Sequence, residues 1–456
     1  MSVDTDSRFD APIDTADGDL WSRTRLMTAI DNLRDRAAMY TIDPGVTGKE
    51  GAVRAEGGAR GWSVHSMTGM DSGAAYVWRG ASEVVLLTDC LPPAPVGESG
   101  ADLIARFTAA LRTALVRARE RHVPLWVNLP SITIDTNGTP LDYSGVRVQG
   151  LPGGTQIKDN CSVAGSTTWD CHAASGDAEL VDLLLVAQND IGSIVRIYAG
   201  DRPVGLTRCE IHAFAGMATG AVRVVADSNL IARSCHVRLD RCYLWISGPA
   251  SGAATTSIGV LVAGGDGVVA IDTTFSGFDE DVRVSGSRFT AQRCAWIDPA
   301  NVYSGNGGIA TAGVTVYGSI VTIRDSYWAE TFTPIRVGEL VGDSAGSIVT
   351  VSGSQILNSK LSKSKAGGGT MYPAVDWAGS HGLLRLEECV IDNATGTPGV
   401  FLSGMTSKVF GLSTVACRSS VAAASFHHVF DGGSPSVAHQ HYVLTSAGVA
   451  TSITNV

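Results

Sequence analysis

A short hydrophobic pattern recurs between Val204 and Cys417. Each copy reads apolar, any, apolar, any, any, small, any, apolar, so its apolar side chains alternate. A period of two places one row of side chains on one side of a strand, and the small residue marks a bend between two strands. The copies are Val204-Leu206-Cys209-Ile211, Val237-Leu239-Cys242-Leu244, Val269-Ile271-Thr274-Ser276, Phe289-Ala291-Cys294-Trp296, Val321-Ile323-Ser326-Trp328, Val349-Val351-Ser354-Ile356, Leu384-Leu386-Cys389-Ile391 and Phe410-Leu412-Val415-Cys417.

The spacing of these copies predicts a solenoid. Their small-residue positions lie 33, 32, 20, 32, 28, 35 and 26 residues apart, and units of this size are typical of solenoids and arrays. A strand, a bend and a second strand in each unit indicate one turn of a parallel β-helix, whose surface loops absorb the irregular lengths. The alternative is a β-sandwich, but its hairpins would favour Asn-Gly and Asp-Gly turns, which are few in this chain.

Two helices are predicted ahead of the repeats. Leu20 to Tyr40 carries a short apolar heptad, which suits a docked amphipathic helix or a short coiled coil. Ser99 and Asp102 form a capping box that opens a helix over 101–121. Because an open end of a solenoid exposes unpaired strand edges, we expect this second helix to cover the first strands.

The chain is expected to have three parts. Pro92 to Pro95 is a stiff hinge and the best boundary. Residues 1–95 then form an N-terminal attachment segment with a short helix at 20–40 and a small β region. Residues 96–430 form the β-helix, and residues 431–456 form a C-terminal closing strand or intersubunit contact.

Composition narrows the class of protein further. The formal net charge is −10 and there is no block of Lys or Arg, which makes a nucleic-acid partner unlikely. No apolar run is long enough to span a bilayer, and the acidic N-terminus lacks the apolar core of a secretory signal, so folding in a cytoplasm is expected. Four of the nine cysteines occupy the small slot of the repeat, which favours a buried interior row over disulfides or metal sites.

The segments before the repeats carry a resemblance. A helix, then Trp126-Val127-Asn128-Leu129-Pro130, then Gly145-Val146-Arg147-Val148-Gln149-Gly150 resembles the opening of the pectate-lyase-like right-handed β-helix superfamily, and within it bacteriophage tailspikes and virion fibres. The resemblance covers roughly 95–430. Two departures, His122-Val123 in place of Gly-Gly and Leu129-Pro130-Ser131 in place of Pro-x-Gly, leave the subfamily open.

The resemblance implies a function. A protein of this kind is a virion component, assembled as a homotrimer in the bacterial cytoplasm, that binds a bacterial surface polysaccharide and is attached to other virion proteins, here through residues 1–95. It is in some cases a glycoside hydrolase that depolymerises the glycan. The alternatives are a structural or decoration fibre without enzymatic activity and a polysaccharide lyase, for which no aligned set of calcium-binding Asp and basic residues is found.

One pair of carboxylates suits glycoside hydrolysis. Asp298 and Glu330 occupy equivalent positions in neighbouring copies, two residues after Trp296 and Trp328. Strand stacking would bring the two carboxyl groups about 5 Å apart, the separation that a retaining glycosidase uses for its nucleophile and its acid/base. Glu280, in an acidic run of the preceding copy, is a third candidate for the cluster. Solvated surface carboxylates are the alternative interpretation.

The tryptophans and the C-terminal histidines complete the candidate residues. Trp296 and Trp328 are candidates for substrate binding, although their slot is apolar in most copies and a core position is the alternative. His439 and His441 would face the same side of a strand. Around a threefold axis they would present six imidazoles, a set suited to iron, as in phage spikes with a His-x-His site; a surface or intersubunit pair is the alternative. No other cofactor is expected.

Overall fold

The computed structural model describes residues 51–54, 61–66, 76–79, 84–173, 176–189, 191–213, 220–226, 237–246, 257–263, 267–297, 312–329, 331, 333–338, 346–357, 374–378, 382–392, 400–402, 410–419, 427–429, 437–445 and 450–452. The chain divides into two compact units, Met1–Val85 and Leu86–Val456, and the division falls before the predicted hinge at Pro92. The described strands of the first unit form an antiparallel sheet of β1 (Gly51–Arg54), β2 (Gly61–Ser66) and β3 (Tyr76–Arg79).

The second unit is a right-handed parallel β-helix in which each turn contributes a strand to each of three sheets. After β4 (Val85–Leu86) and a 3-10 helix (Leu87–Cys90), the chain enters the solenoid. The first sheet consists of β5 (Leu125–Trp126), β8 (Arg147–Gln149), β11 (Ala178–Val181), β14 (Val204–Thr207), β17 (Val237–Asp240), β20 (Val268–Ile271), β23 (Arg288–Gln292), β26 (Ile320–Arg324), β29 (Ser347–Ser352), β32 (Gly382–Glu387), β35 (Phe410–Ser419) and β37 (Val437–Thr445).

The second and third sheets follow at successive corners of each turn. The second sheet consists of β6 (Ser131–Ile134), β9 (Thr155–Asp159), β12 (Leu183–Ala187), β15 (Glu210–Ala213), β18 (Tyr243–Ile246), β21 (Thr274–Ser276), β24 (Ala295–Ile297), β27 (Tyr327–Ala329), β30 (Gln355–Leu357) and β33 (Val390–Asp392). The third consists of β7 (Leu141–Asp142), β10 (Thr167–His172), β13 (Ser193–Ala199), β16 (Val222–Ala226), β19 (Ile258–Ala263), β22 (Glu280–Ser285), β25 (Ala312–Tyr317), β28 (Thr333–Gly338), β31 (Val375–Trp377), β34 (Val400–Leu402) and β36 (His427–Val429).

The repeat read from the sequence is the interior of this solenoid. In β14 and β17, Val204 pairs with Val237 and Leu206 with Leu239 in adjacent turns, and all four side chains are buried. The outward residues between them are partly exposed. Parallel stacking of inward apolar rows therefore builds the core, and the predicted fold class is confirmed.

The bend between the first and second strands of a turn has a defined chemistry. At several of these bends the residue before the small residue adopts a left-handed backbone, with φ of 52° at Arg208, 54° at Arg241 and 53° at Arg293. The small residue then turns inward. The Cys209 thiol donates to the carbonyl oxygen of Leu180 in the preceding turn at 3.2 Å. The predicted interior row of cysteines is confirmed, since Cys209, Cys242, Cys294 and Cys389 are all buried and free.

Two copies of the repeat depart from the predicted register. In the copy at 269–276, the inward residues are Val268, Ala270, Thr273 and Phe275, while Val269 is 39% exposed. Hydropathy misleads there because an apolar Val faces solvent and a small Ala faces the core. In the last copy, Leu384 pairs with Leu412 and Leu386 with Thr414, two residues later than the predicted alignment, and the thiol that donates to the carbonyl oxygen of Leu386 in the preceding turn belongs to Cys417.

The N-terminal end of the solenoid is covered as predicted. Helix α1 (Gly100–Arg121) begins at Ser99, whose hydroxyl accepts from the Asp102 backbone while the Asp102 carboxylate accepts from the Ser99 backbone. Its buried face, which includes Leu111 and Leu115, packs on β5, β6 and β7. Among the helices that the structure describes, none combines the length and apolarity needed to cross a bilayer.

The last described strands extend the first sheet beyond residue 430. Strand β37 runs parallel to β35, and β38 (Ala450–Ser452) pairs antiparallel with β37. The closing and intersubunit roles of residues 431–456 both stay predictions.

Candidate functional site

The predicted catalytic pair lies outside the described residues. Asp298 and Glu330 follow directly after Ile297 of β24 and Ala329 of β27, which are register partners in adjacent turns. The two copies are therefore in register as far as Ile297 and Ala329, the last described pair before the two acids. The catalytic assignment of the two acids stays a prediction.

Trp296 and Trp328 do not form a sugar-binding surface. Both side chains are fully buried, and their rings stack on each other inside the solenoid at 4.6 Å between centroids, with Phe275 next in the stack. Both residues occupy inward-facing positions of their strands, β24 and β27, so a glycan outside the solenoid cannot contact them. The core alternative was the right one.

Glu280 is placed away from these strands, at the start of β22 in the third sheet. It is buried, and its carboxylate forms two hydrogen bonds with the Arg283 guanidinium, at 2.5 and 2.7 Å. The neighbouring Asp279 accepts from the backbone and hydroxyl of Ser257. Within the described residues these two acids act in local structure; a catalytic role for Glu280 stays a prediction.

The C-terminal histidines lie on β37, where His439 pairs with Leu412 and His441 with Thr414. Their side chains lie outside the described part of the chain, so the iron site stays a prediction. Across the described residues, no group of three or more His, Cys, Asp and Glu side chains is arranged to hold a metal ion.

The structure instead brings aromatic side chains together on the outer face of the second sheet. Tyr243 and Trp245 are the outward residues of β18, and their rings are nearly parallel, with an angle of 16° and centroids 6.1 Å apart. Tyr243 is 39% exposed. We call these two outward rings the aromatic wall.

The preceding turn supports the aromatic wall from behind. His212, the register partner of Trp245, stacks on the indole at 3.5 Å and 13°. Glu210, the register partner of Tyr243, accepts a hydrogen bond from the indole Nε1 at 2.7 Å. Burial lowers the pKa of His212 to about 4, so the imidazole is neutral near pH 7. The indole of Trp245 is therefore held by stacking on a neutral imidazole and by a hydrogen bond from its N–H to a carboxylate.

On the other side of the aromatic wall, the outward side chains of the next turn are small. Because His212 stacks face to face on Trp245 from one turn, the other indole face looks toward the next turn, where Thr274 and Ser276 are the outward residues. The turn after that carries Ala295, and Tyr327, 40% exposed, follows it. Tyr327 thus stands three strand spacings, about 14 Å, from Tyr243. The small outward residues Thr274, Ser276 and Ala295, which we call the shelf, therefore lie between the aromatic wall and Tyr327.

A groove of about 820 Å³ adjoins the wall on the side of the N-terminal turns. Glu210, which is hydrogen-bonded to Trp245, lines this groove together with Pro152, Gly153 and Gly154. Polar groups of Gln156, Asp182 and Arg208 line it. Arg208 and Asp182 hold each other through two hydrogen bonds at 2.6 and 2.7 Å.

These features together suit a chain-like polar ligand with apolar faces. An aromatic face packs well against the C–H face of a sugar ring, while carboxylate, amide and guanidinium groups bind hydroxyls. The groove lies at the corner between the first and second sheets, and the wall and the shelf follow it along successive turns of the second sheet. A linear oligosaccharide running parallel to the solenoid axis would contact all three.

The inward apolar rows of the sequence do not predict the aromatic wall. The signal was present, because Tyr243 and Trp245 occupy alternate outward positions in Cys242-Tyr243-Leu244-Trp245-Ile246. What the sequence did not provide was the register, which places His212 and Glu210, in the preceding turn, beside them.

No protein-family model and no curated protein sequence matches the chain. The catalytic unit of a thermostable GH87 alpha-1,3-glucanase from Streptomyces thermodiastaticus is similar at 12% identity and a TM-score of 0.45, over 85% of each chain. The tailspike protein of an Acinetobacter phage is similar at 11% identity and a TM-score of 0.47, over 82% of this chain and 66% of that one.

A third similar structure is PfbA, a surface adhesin of Streptococcus pneumoniae, at 11% identity and a TM-score of 0.46, over 82% of this chain and 98% of that one. The three names cover an enzyme, a phage tailspike and a bacterial adhesin.

Proposed function

We propose that this protein is a virion spike or fibre of a bacteriophage that binds a bacterial surface polysaccharide through the aromatic wall. The observation that carries the binding function is the open face of Tyr243 and Trp245 over the small residues Thr274 and Ser276, continuous with the polar groove. The division into a solenoid and a separate N-terminal unit supports a fibre attached at one end to other virion proteins.

Binding is tested with polysaccharide purified from bacteria to which the phage adsorbs. Trp245→Ala is expected to reduce affinity about tenfold or more, because truncating a central aromatic contact typically costs that much. Trp126→Ala is the matched control, since Trp126 is 37% exposed on β5 of the first sheet. Equal affinity of the two variants would contradict the placement of the site.

A structural or decoration fibre without a glycan role is the main alternative. It predicts no binding by the wild-type protein to any glycan of an array, and unchanged adsorption of particles that lack this chain. A glycan signal lost in Trp245→Ala but kept in Trp126→Ala excludes that alternative.

Cleavage of the bound glycan is a second candidate activity, as a glycoside hydrolase. It is favoured by the in-register pairing of Ile297 with Ala329, directly before Asp298 and Glu330. Asp298→Asn and Glu330→Gln should each abolish the release of reducing ends while leaving binding and melting unchanged. Normal cleavage by both variants would remove these residues from consideration, and an unsaturated product would indicate a lyase instead.

We further propose that the protein is a homotrimer, held partly through the first sheet. Ile320, Ile348 and Leu383 are successive register partners on its outer face and are 38%, 39% and 38% exposed. Such an apolar column on a parallel sheet favours burial against another copy. Light scattering should give a trimeric mass that falls with Ile348→Asp but not with Leu357→Asp, which alters an equally exposed residue of the second sheet. A monomeric wild type would contradict the proposal.

A further inference from the structure

Two thiols lie next to each other inside the solenoid, at the bend between its first and second sheets. Cys389 and Cys417 belong to adjacent turns, and both side chains are buried, with exposures of 1% and 0%. The pairs that flank them are in register, namely Glu387 with Val415 and Val390 with Arg418. Because the register is the same on both sides of the bend, Cys389 stands directly opposite Cys417.

The spacing of the two turns suits a covalent bond between these thiols. Neighbouring strands of a sheet lie about 4.8 Å apart, and the Cα atoms of a disulfide lie about 4.4–6.8 Å apart. The side chain of Cys417 is within hydrogen-bonding range of the Cys389 thiol. The two Cβ atoms, which start near the strand spacing, need to approach to about 4.5 Å or less for the sulfur atoms to bond.

A second pair of cysteines in the same slot is held more closely by the backbone. Cys209 and Cys242 are also in register, and each thiol donates to a carbonyl oxygen of the preceding turn at 3.2 Å. The corresponding distances from Cys389 and Cys417 are both 3.5 Å. The backbone therefore competes less for the thiols of the later pair.

The later pair also lies nearer to an end of the solenoid. In the described part of the chain, β35, which carries Cys417, is followed in its sheet by β37 and β38. Contact with Cys417 and burial raise the pKa of the Cys389 thiol, so it is protonated near neutral pH. Because the thiolate is the reacting form, oxidation needs these turns to open briefly. Such opening is easiest where a turn has few neighbours beyond it.

We propose that Cys389 and Cys417 form a disulfide that locks the last turns of the solenoid when the protein meets a low-molecular-weight disulfide such as oxidised glutathione. One thiolate attacks the reagent and releases a reduced thiol, and the second thiolate attacks the resulting mixed disulfide and releases another. One Sγ–Sγ bond forms, while two S–H bonds of the protein and the S–S bond of the reagent break. The reagent gains both electrons and both protons.

The cross-link would follow a change of surroundings. A virion protein leaves a reducing cytoplasm for an oxidising exterior, and this part rests on the proposed function. The chemistry of the two thiols does not depend on glycan binding.

The test is oxidation of the full-length protein, purified in reduced form, with oxidised glutathione in buffer and in urea below the unfolding transition. The remaining thiols are alkylated in denaturant and the peptides are mapped by mass spectrometry. Cys389 and Cys417 should lose alkylation to the same extent and appear in one cross-linked peptide, which dithiothreitol removes. The oxidised protein should unfold in urea about tenfold more slowly than the reduced protein.

Cys389→Ser is the matched variant, because serine occupies the same slot at Ser326 and Ser354, where its hydroxyl donates to the carbonyl oxygen two residues before it. The variant should fold, form no cross-link and unfold at the same rate with and without oxidant. Cys209→Ser removes a thiol from the other pair and should leave the cross-link unchanged.

Absence of the Cys389–Cys417 peptide at every urea concentration below the transition would overturn the proposal. Cross-linking of Cys209 to Cys242 at the same rate would also overturn it, since the reaction would then take place in a globally unfolded chain. Slower unfolding of oxidised Cys389→Ser would do the same. Glycan binding plays no part in these readouts, so failure of the cross-link and failure of the proposed function are distinguishable.

Discussion

At the scale of single residues, the environment of His212 makes the stability of the protein depend on pH. Burial against Trp245 disfavours the charged imidazole and lowers its pKa from 6.5 to about 4. Between these two values the unfolded chain binds a proton that the folded protein does not. The contribution of His212 to stability is therefore complete above pH 6.5 and is lost as the pH falls toward 4.

We expect His212→Gln to reduce this pH dependence. Urea unfolding midpoints measured from pH 6.5 down to 4 should fall less steeply for the variant than for the wild type. His172→Gln is the control, because His172 is an exposed histidine that also stacks on an aromatic ring. A His212→Gln profile with the wild-type slope would show that the imidazole is not responsible.

The interior cysteines lead to a second prediction at this scale. Burial raises the pKa of Cys242 to about 12 and that of Cys294 to about 11, so neither is a thiolate near pH 8. Both thiols should react very slowly with a disulfide reagent in the native protein and quickly in denaturant, as followed by mass spectrometry of the labelled peptides. Fast native labelling of Cys294 would mean that the solenoid opens there.

At the scale of elements, the inner and outer aromatic rows of the second sheet have different roles. Trp328 is enclosed by Trp296 and by the close backbone of Gly313, where an added Cβ would lie 2.6 Å from the indole Nε1. Trp328→Ala should lower the free energy of unfolding by about 3–5 kcal/mol through the cavity it leaves. Trp245→Ala, on the outer face, should cost much less.

Chemical denaturation of the two variants measures this difference directly. A large loss of stability in Trp328→Ala with glycan binding retained, against lost binding with stability retained in Trp245→Ala, is the expected result. Similar unfolding midpoints for the two variants would mean that the inner stack contributes little to the core.

The same elements show how far the sequence could be read. Inward rows such as Val204, Leu206 and Ile211 were predictable, because burial on one side of a strand imposes a period of two. In the copy near Val269 the predicted register is wrong, because the outward Val269 is more apolar than the inward Ala270. The pairing of Trp245 with His212 depends on the register between turns. Because the loops between turns vary in length, this register cannot be predicted from the sequence.

At the scale of the whole molecule, the solenoid contains its own N-terminal cover. Helix α1 and the strands β5, β6 and β7 that it packs on belong to the same unit, Leu86–Val456. The edge of the first turn is therefore shielded without residues 1–85. Since each turn of a solenoid is stabilised mainly by its neighbours, the strands that form the aromatic wall should fold without the first unit.

We accordingly expect residues 86–456, produced alone, to fold with the circular dichroism and melting temperature of the full chain and to bind the polysaccharide with unchanged affinity. The truncated chain should fail to join the particle, because the proposed attachment lies in the removed unit. Aggregation of the truncated chain would show that the solenoid needs the N-terminal unit for folding. Incorporation of the truncated chain into particles would instead place the attachment on the solenoid itself, and the first unit would then need a different role.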